Sequence, residues 1–482
     1  MRDLSSTVSS RLRQEAVTHT GTTLRLAQLV LLAVCLAAPV EGNAQSSVQG
    51  VFPASSIAGR VFDTHGEPAA GVRVMAYRYA YDDNGARVIR TPDTALTKQT
   101  GEFEIRGLRR GEYLISVAPL PAAVTPDGTG MAPVTTYYPA IEDPLKAVPF
   151  DVQAGQDYTL DDIRMLSDKL AAVRLRIVDS TGEPKPARRE VKWALSSGAV
   201  GSAGGMLVAF YGPVQALAPG ITYLTPVSRE DEVLIPNLPP GTYEFTVGWA
   251  TSAGPVSGHT TVEVRGVDLE RDLEVRPNKR LTGRVVLEEE DKEPLPLANI
   301  DMTLLSGPVM PANAAYRSLS QSNGAFVIDG VPEGTYPVWF RDLPPDAYVA
   351  SATEGAHDIL TQPLRVSGET ELAVFVRRDG GIVEGVVTDS RGKNIPDAVV
   401  ALVPDGLARE EVNRYRKAVT DSNGAFTIQG ITPGSYHLFA WPELEGAAYR
   451  NAAFMRRYEG KGEPVHFGRG DQLTVQLKLA DN

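Results

Sequence analysis

The chain has 482 residues, with 47 Lys and Arg against 59 Asp and Glu for a net charge of −12, and 43% of it is hydrophobic. That length exceeds what one core organises and suits several domains of ordinary size. An acidic chain without basic clusters is a poor partner for nucleic acid or anionic lipid, which are bound through counterion release.

From the N-terminus, 15 residues without a charge, Leu26 to Val40, follow Arg2, Arg11, Arg13 and Arg25. A helix of that length rises about 22 Å, short of the roughly 30 Å hydrocarbon layer. The run therefore predicts a secretory signal over residues 1–44, cleaved after Gly42-Asn43-Ala44, rather than a membrane span. No later segment is apolar enough to cross a bilayer. The mature chain is expected to be secreted, periplasmic or on the cell surface. Signal removal takes four basic and three acidic residues, leaving 43 against 56, and Cys35, the single cysteine, leaves with it. Stability in an oxidising compartment must then come from packing without disulfides.

After a linker at 45–55, strand and turn signals divide the chain into modules at 56–168, 169–278, 279–379 and 380–482. In the first, Gly59-Arg60-Val61-Phe62 precedes the turn His65-Gly66-Glu67-Pro68, where Gly supplies positive φ and Pro re-enters extended chain. Tyr77, Tyr79 and Tyr81 alternate on one strand face and run into Asp82-Asp83-Asn84-Gly85, whose Asn-Gly is a hairpin signal. Asp82 and Asp83 lack the ligand spacing of a calcium loop and suit a solvated turn. Tyr137-Tyr138-Pro139, in a loop, is the pair expected to be exposed. The second module keeps Gly182-Glu183-Pro184 and Pro240-Gly241-Thr242-Tyr243 but carries a Gly-rich insertion, Gly198 to Gly212.

The third and fourth modules repeat at an offset of 100 residues. Ser322-Asn323-Gly324-Ala325-Phe326-Val327-Ile328 returns as Ser422-Asn423-Gly424-Ala425-Phe426-Thr427-Ile428, followed by Gly334-Thr335-Tyr336 and Gly434-Ser435-Tyr436. Phe103, Phe326 and Phe426 share a strand face with Ile105, Ile328 and Ile428 and read as core. Tyr113, Tyr243, Tyr336 and Tyr436 each sit two residues after a turn Gly, suiting rings packed inward with the hydroxyl tied to nearby backbone. A last pair of strands closes each module. Two stretches interrupt the β pattern: Leu407–Arg416 is helix-compatible, placing Leu407, Glu411 and Arg414 on successive turns, and Ala447–Tyr458 is a second short amphipathic candidate. Arg469-Gly470-Asp471 reads as a hairpin turn. The prediction is an all-β chain of four tandem antiparallel β-sandwich modules with short helical insertions.

The segments Gly59–Val74 with Gly101–Tyr113, Gly283–Ile300 with Gly324–Tyr336, and Gly385–Val400 with Gly424–Tyr436 resemble carboxypeptidase regulatory-like domains, a transthyretin-like, carbohydrate-binding-like sandwich family found in secreted bacterial proteins. The resemblance implies no catalytic activity and no cofactor. No His is followed by Glu three residues on, and there is no His-Glu-x-x-His, nucleophile elbow or phosphate loop. No catalytic residue and no metal ligand is therefore expected. Family analogy makes carbohydrate the first expected ligand, with a cell-envelope protein the other partner considered. Ring candidates for stacking on a sugar are Tyr137, Tyr138, Tyr77, Tyr79, Tyr81, Trp441 and Tyr449. Trp249, Trp339 and Trp441 stand six, three and five residues beyond their modules' Tyr, so they form no repeated platform. The alternatives are a structural or protein-interaction spacer of the envelope and a hydrolase accessory protein. Some relatives of the collagen-adhesin B type join their sheets by a Lys–Asn isopeptide bond; the first strands here offer Arg60, Arg176 and Arg284 and no Lys, so no crosslink is expected.

Overall fold

The structure, a computed structural model, describes residues 54–480 apart from 90–92, 120–129, 143–145, 180, 183–189, 196–199, 204–226, 230, 289–296 and 306–315. The expected signal with Cys35 and Ala44, nearly all of the linker, and most of the Gly198–Gly212 insertion lie outside the described residues.

Strand alternation produces the cores. In Glu102–Leu108, Phe103, Ile105 and Leu108 are buried while Glu102, Glu104 and Arg106 face water. Four separate apolar clusters result, drawing on residues 57–165, 171–275, 281–376 and 383–477. Each module encloses its cluster between strands of two layers, and all seven rings read as core, Phe103, Tyr113, Tyr243, Phe326, Tyr336, Phe426 and Tyr436, are buried. The four tyrosines share one device. Each hydroxyl donates to the carbonyl four residues back, Tyr113 to Arg109 at 3.0 Å, Tyr243 to Pro239 at 2.8 Å, Tyr336 to Pro332 at 2.9 Å and Tyr436 to Thr432 at 2.6 Å. The polar end of a buried ring is thereby satisfied within its own turn.

Hairpin neighbours pair antiparallel, and parallel pairing onto the first strand closes each module, by two short strands in the first module and by one in each of the others. The first strand lies beside the last, with Val61 opposite Ile163, Val173 opposite Leu269, Leu281 opposite Thr370 and Ile382 opposite Gln472. The two closing strands enter different layers. Phe150–Val152 joins Gly111–Ala118 while Asp157–Thr159 joins Ser55–Phe62, because the turn between them crosses the edge of the sandwich. Turn chemistry is local: Asp63 Oδ1 accepts from the His65 and Glu67 amides, and Asp389 Oδ1 from those of Arg391 and Lys393. Gly324 adopts φ +78°, and a Cβ there would stand 2.1 Å from the Val285 carbonyl oxygen, so this turn position admits only glycine.

Two sequence expectations change. The first strand of the third module begins at Lys279, two turns of pleat ahead of the expected start at Gly283, so it does contain a lysine; Glu333 holds the Nζ at 3.0 Å. Leu407–Arg416 forms no α-helix but two short 3₁₀ turns, Gly406–Glu410 and Val412–Arg414, with Leu407 88% exposed. Lacking an apolar stripe to bury, the segment stays as tight turns. The second insertion is likewise divided, into 3₁₀ turns at Ala448–Arg450 and Arg456–Tyr458 around a single α turn, Ala452–Met455.

Candidate functional site at the junction of the first and fourth modules

The outer face of one sheet in the fourth module is apolar as well as the inner. Along the paired strands Val399–Pro404 and Gly434–Trp441, Val400, Leu402, Leu438 and Ala440 point into the sandwich, while Ala401, Val403, Phe439 and Trp441 point away from it. The insertion after Trp441 folds back over this second face. Asn451 caps its α turn by accepting from the Ala453 and Phe454 amides. Trp441 stacks on Phe439 at 5.6 Å and meets Tyr458 edge-on at 5.4 Å. Tyr449 joins Tyr415 at 6.1 Å.

Against this cover lies the hairpin of the first module, which carries Tyr77, Tyr79 and Tyr81 on the strand Arg73–Tyr81. Arg78 grips Glu445, 367 residues later, through two hydrogen bonds of 2.8 and 2.7 Å. The Ala447 amide donates to the Asp82 carbonyl at 2.9 Å, and Asn451 Nδ2 to the Gly85 carbonyl at 3.0 Å. Tyr81 meets Phe454 edge-on at 5.5 Å. The fit is close in the backbone as well. Gly446 has φ +54° with a Cβ position only 2.1 Å from the Tyr81 carbonyl oxygen, and a Cβ at Gly85 would stand 2.5 Å from that of Arg450. Burial raises the Asp82 carboxyl above its ordinary range, against the pull of the Ala86 and Asn84 amides that it accepts from.

The insertions also meet the third module. Arg450 lies over the rings of Trp339, Tyr415 and Tyr449 at 4.6, 5.2 and 5.8 Å, and among the described residues its buried Nε and Nη1 have no hydrogen-bond partner, so three rings face this cation. Asn413 serves the edge strand Val338–Arg341 as a strand neighbour would: its Oδ1 accepts from the Phe340 amide and its Nδ2 donates to the Val338 carbonyl, both at 2.9 Å. Arg416 donates to the carbonyls of Asn413, Tyr415 and Gly430; desolvation by burial lowers its pKa. Burial pushes the Tyr415 hydroxyl up to about 12. A cavity of about 240 Å³ remains between the two insertions, lined by Leu407, Arg409, Tyr415, Tyr449 and Met455 among others.

The ring candidates from the sequence are thus mostly spent inside the molecule. Tyr137, expected to be exposed, is 1% exposed and packs with Tyr77 and Tyr79 on the outer face of the first module, because Thr136–Tyr137 pairs with Gly111–Ala118 as a strand. Tyr138 is half-buried and turned toward the inner core, with its ring 6.4 Å from that of Phe150. Trp441 and Tyr449 are buried, and Tyr81 is half-buried against Phe454. The junction brings Tyr81 and Trp441 together through the Phe454 ring, which sequence spacing gives no means of foreseeing. Arg78, Glu445, Asn413, Arg450 and Asn451 were missed; the only available signal was the placement of three of them, Asn413, Arg450 and Asn451, in the two insertions. Among the described residues no group of three or more His, Cys, Asp or Glu side chains is placed to hold a metal ion.

Comparison with known proteins places this fourth module. Residues 382–477 match the model of the carboxypeptidase regulatory-like domain. The match spans the inner core of the module and both of its insertions. Comparison with curated proteins finds no match. Among solved structures, the chain is similar to the TIE protein of Bacillus anthracis, at 11% identity over 86% of this chain and 69% of that one, with a TM-score of 0.17. It is also similar to BcpA, the major pilin subunit of Bacillus cereus, at 10% identity over 67% and 99% of the two chains and a TM-score of 0.18. Two B repeat units of the collagen-binding protein of Staphylococcus aureus match at 12% identity over 82% and 94%, with a TM-score of 0.16. Scores of this size carry no shared arrangement of modules.

Proposed function

We propose that this chain is an exported, non-catalytic structural protein, built of regulatory-like sandwich modules and holding its first module against its last. The observation that carries the reading is the use made of the exposed-ring candidates. Tyr77, Tyr79, Tyr137, Trp441 and Tyr449 are buried in internal clusters, and Tyr81 closes the contact between modules. A sugar-binding platform needs flat rings open to solvent beside polar groups that choose hydroxyls; a scaffold needs rings that weld one module to another. Export is supported by the apolar run Leu26–Val40, preceded by four arginines and holding the chain's single cysteine, Cys35.

Small-angle scattering on the purified chain with and without Arg78→Glu tests the reading. The replacement sets two carboxylates against each other at the clasp, and the radius of gyration is expected to rise while the melting of the individual modules stays in place. An unchanged radius would count against the clasp. Retention on polysaccharide that Tyr138→Ala abolishes would return the protein to the sugar-binding class.

A further inference from the structure

We infer that the clasp between the first and fourth modules also joins two copies of this chain, the hairpin of one seated on the insertion of the next. The inference rests on the structural reading above. Its starting point is the composition of the contact. One side contributes the Arg78 guanidinium, the Asp82 and Gly85 carbonyls and the Tyr81 ring; the other contributes the Glu445 carboxylate, the Ala447 amide, the Asn451 side chain and the Phe454 ring. The two surfaces differ and complement each other, so the contact is heterologous. A heterologous contact between two ends of one chain is satisfied equally well by the corresponding end of a neighbour.

Nothing in the contact requires a single chain. Each of these pairings joins residues 78–85 to residues 445–454, and none passes through the second or third module, which lies between them in sequence. The surfaces are specific as well as complementary. Gly85 and Gly446 adopt positive φ where a Cβ would strike the opposing segment, so the close approach is written into both sides. Exchange of such a contact between copies costs little beyond opening it, since every bond lost in one chain is remade with the other. At low concentration the intrachain contact wins, because the tether makes the encounter intramolecular and independent of protein concentration. Crowding of copies, as on a surface, tips the balance toward exchange.

Complementary charge reversal tests this. Full-length chains carrying either Arg78→Glu or Glu445→Arg each place like charges across their own clasp, and each alone is expected to elute as an expanded single chain in size exclusion with light scattering. In an equimolar mixture the intact Arg78 of one chain faces the intact Glu445 of the other, and the two replaced side chains are again opposite in sign. The expected result is a shift to the two-chain mass, a doubling. The chain carrying both replacements should regain the compact single-chain radius. If that double variant is compact while the mixture stays at the one-chain mass, the exchange between copies is overturned and the intrachain clasp stands. If the double variant also stays expanded, the clasp reading falls too. Unmodified chain gives an independent arm: a two-chain fraction that grows with concentration and disappears with Arg78→Glu supports the inference, and a constant one-chain mass up to millimolar concentration opposes it.

Discussion

The third and fourth modules share a ladder and differ in what stands on its outer side. In the third, Met302 is opposite Phe340 and both enter the core; in the fourth, Val400 is opposite Ala440 and both do the same. One residue earlier on the first strand and one later on the second, the outer rung is Asp301 with Arg341 in the third module and Val399 with Trp441 in the fourth. The charged rung forms a network: Asp301, 1% exposed, takes Arg341 at 2.7 Å, Arg317 at 3.0 Å and the Thr303 hydroxyl at 2.9 Å. The apolar rung is covered by the chain's own insertion, which in turn receives the first module. Period-two alternation makes the two faces of a strand independent, so a module keeps its core while its outer face is rewritten into a docking surface.

The largest expected break comes from Trp441→Ala. It removes a buried ring that touches Phe439, Phe454 and Tyr458, and is expected to cost about 3–5 kcal/mol in denaturant unfolding of the fourth module. Trp339→Ala in the third module removes a half-buried ring held by Arg341 and Arg450 at 4.9 and 4.6 Å, and about 1–2 kcal/mol is expected. Equal losses would mean that the outer faces are equally buried and that the comparison fails.

The charged rung is tested by converting it. Asp301→Val alone leaves Arg317 and Arg341 without their carboxylate, but both keep contact with water, so the expected cost is about 1–3 kcal/mol. Arg341→Trp alone leaves Asp301 buried with Arg317 and should cost a similar amount. The two together reproduce the fourth module's rung. A double-mutant cycle is expected to return at least about 1 kcal/mol of coupling; simple additivity would show that the rungs are not interchangeable units.

How far the sequence reveals this division follows from the same geometry. Inner positions were legible because the repeat at 100 residues and the period of two locate Phe326, Ile328, Phe426 and Ile428, and because Gly-x-Tyr marks the corner whose hydroxyl bond recurs in all four modules. Outer positions were not. Tyr137 looks like a loop residue until its backbone is seen paired with Ser116, and an aromatic on the outer face reads the same whether it awaits a sugar or another module. Arg78 and Glu445 are ordinary surface charges until two folded modules bring them together. Local signals report what a strand does, whereas contacts between modules depend on the angles at every intervening joint.

At the joint between the third and fourth modules, Asp379 accepts from Arg377 Nε and Nη2 at 3.0 and 2.9 Å and from the Tyr348 hydroxyl at 3.1 Å, while its carbonyl takes the Gly470 amide at 2.7 Å. Arg377, opposed by desolvation, holds the carboxyl below its ordinary value of 3.8. A depressed carboxyl binds its proton less readily folded than unfolded. Its contribution is therefore complete above the ordinary value and is lost as pH falls below that value and through the folded one. Asp379→Asn is expected to cost about 1–2 kcal/mol at pH 7, a cost that shrinks as pH falls below 3.8 and the folded carboxyl takes up its proton, read from urea titrations across the acid range. A loss independent of pH would assign the effect to shape alone.

The smallest expected difference separates the two corner tyrosines. Tyr336→Phe deletes one bond, to the Pro332 carbonyl, and about 1 kcal/mol is expected. Tyr436→Phe deletes the bond to Thr432 and also the contact with Arg414, which reaches the same hydroxyl from the 3₁₀ turn Val412–Arg414. Arg414 is anchored besides by Glu411 at 2.6 Å and by the Pro433 carbonyl at 2.9 Å, so it stays in place when the hydroxyl goes. The fourth module should then lose more than the third by a few tenths of a kcal/mol up to about 1, and Arg414→Ala should erase the gap. Equal losses in the unmodified background would show that the insertion leaves the repeated corner untouched, confining the difference between the modules to the outer face.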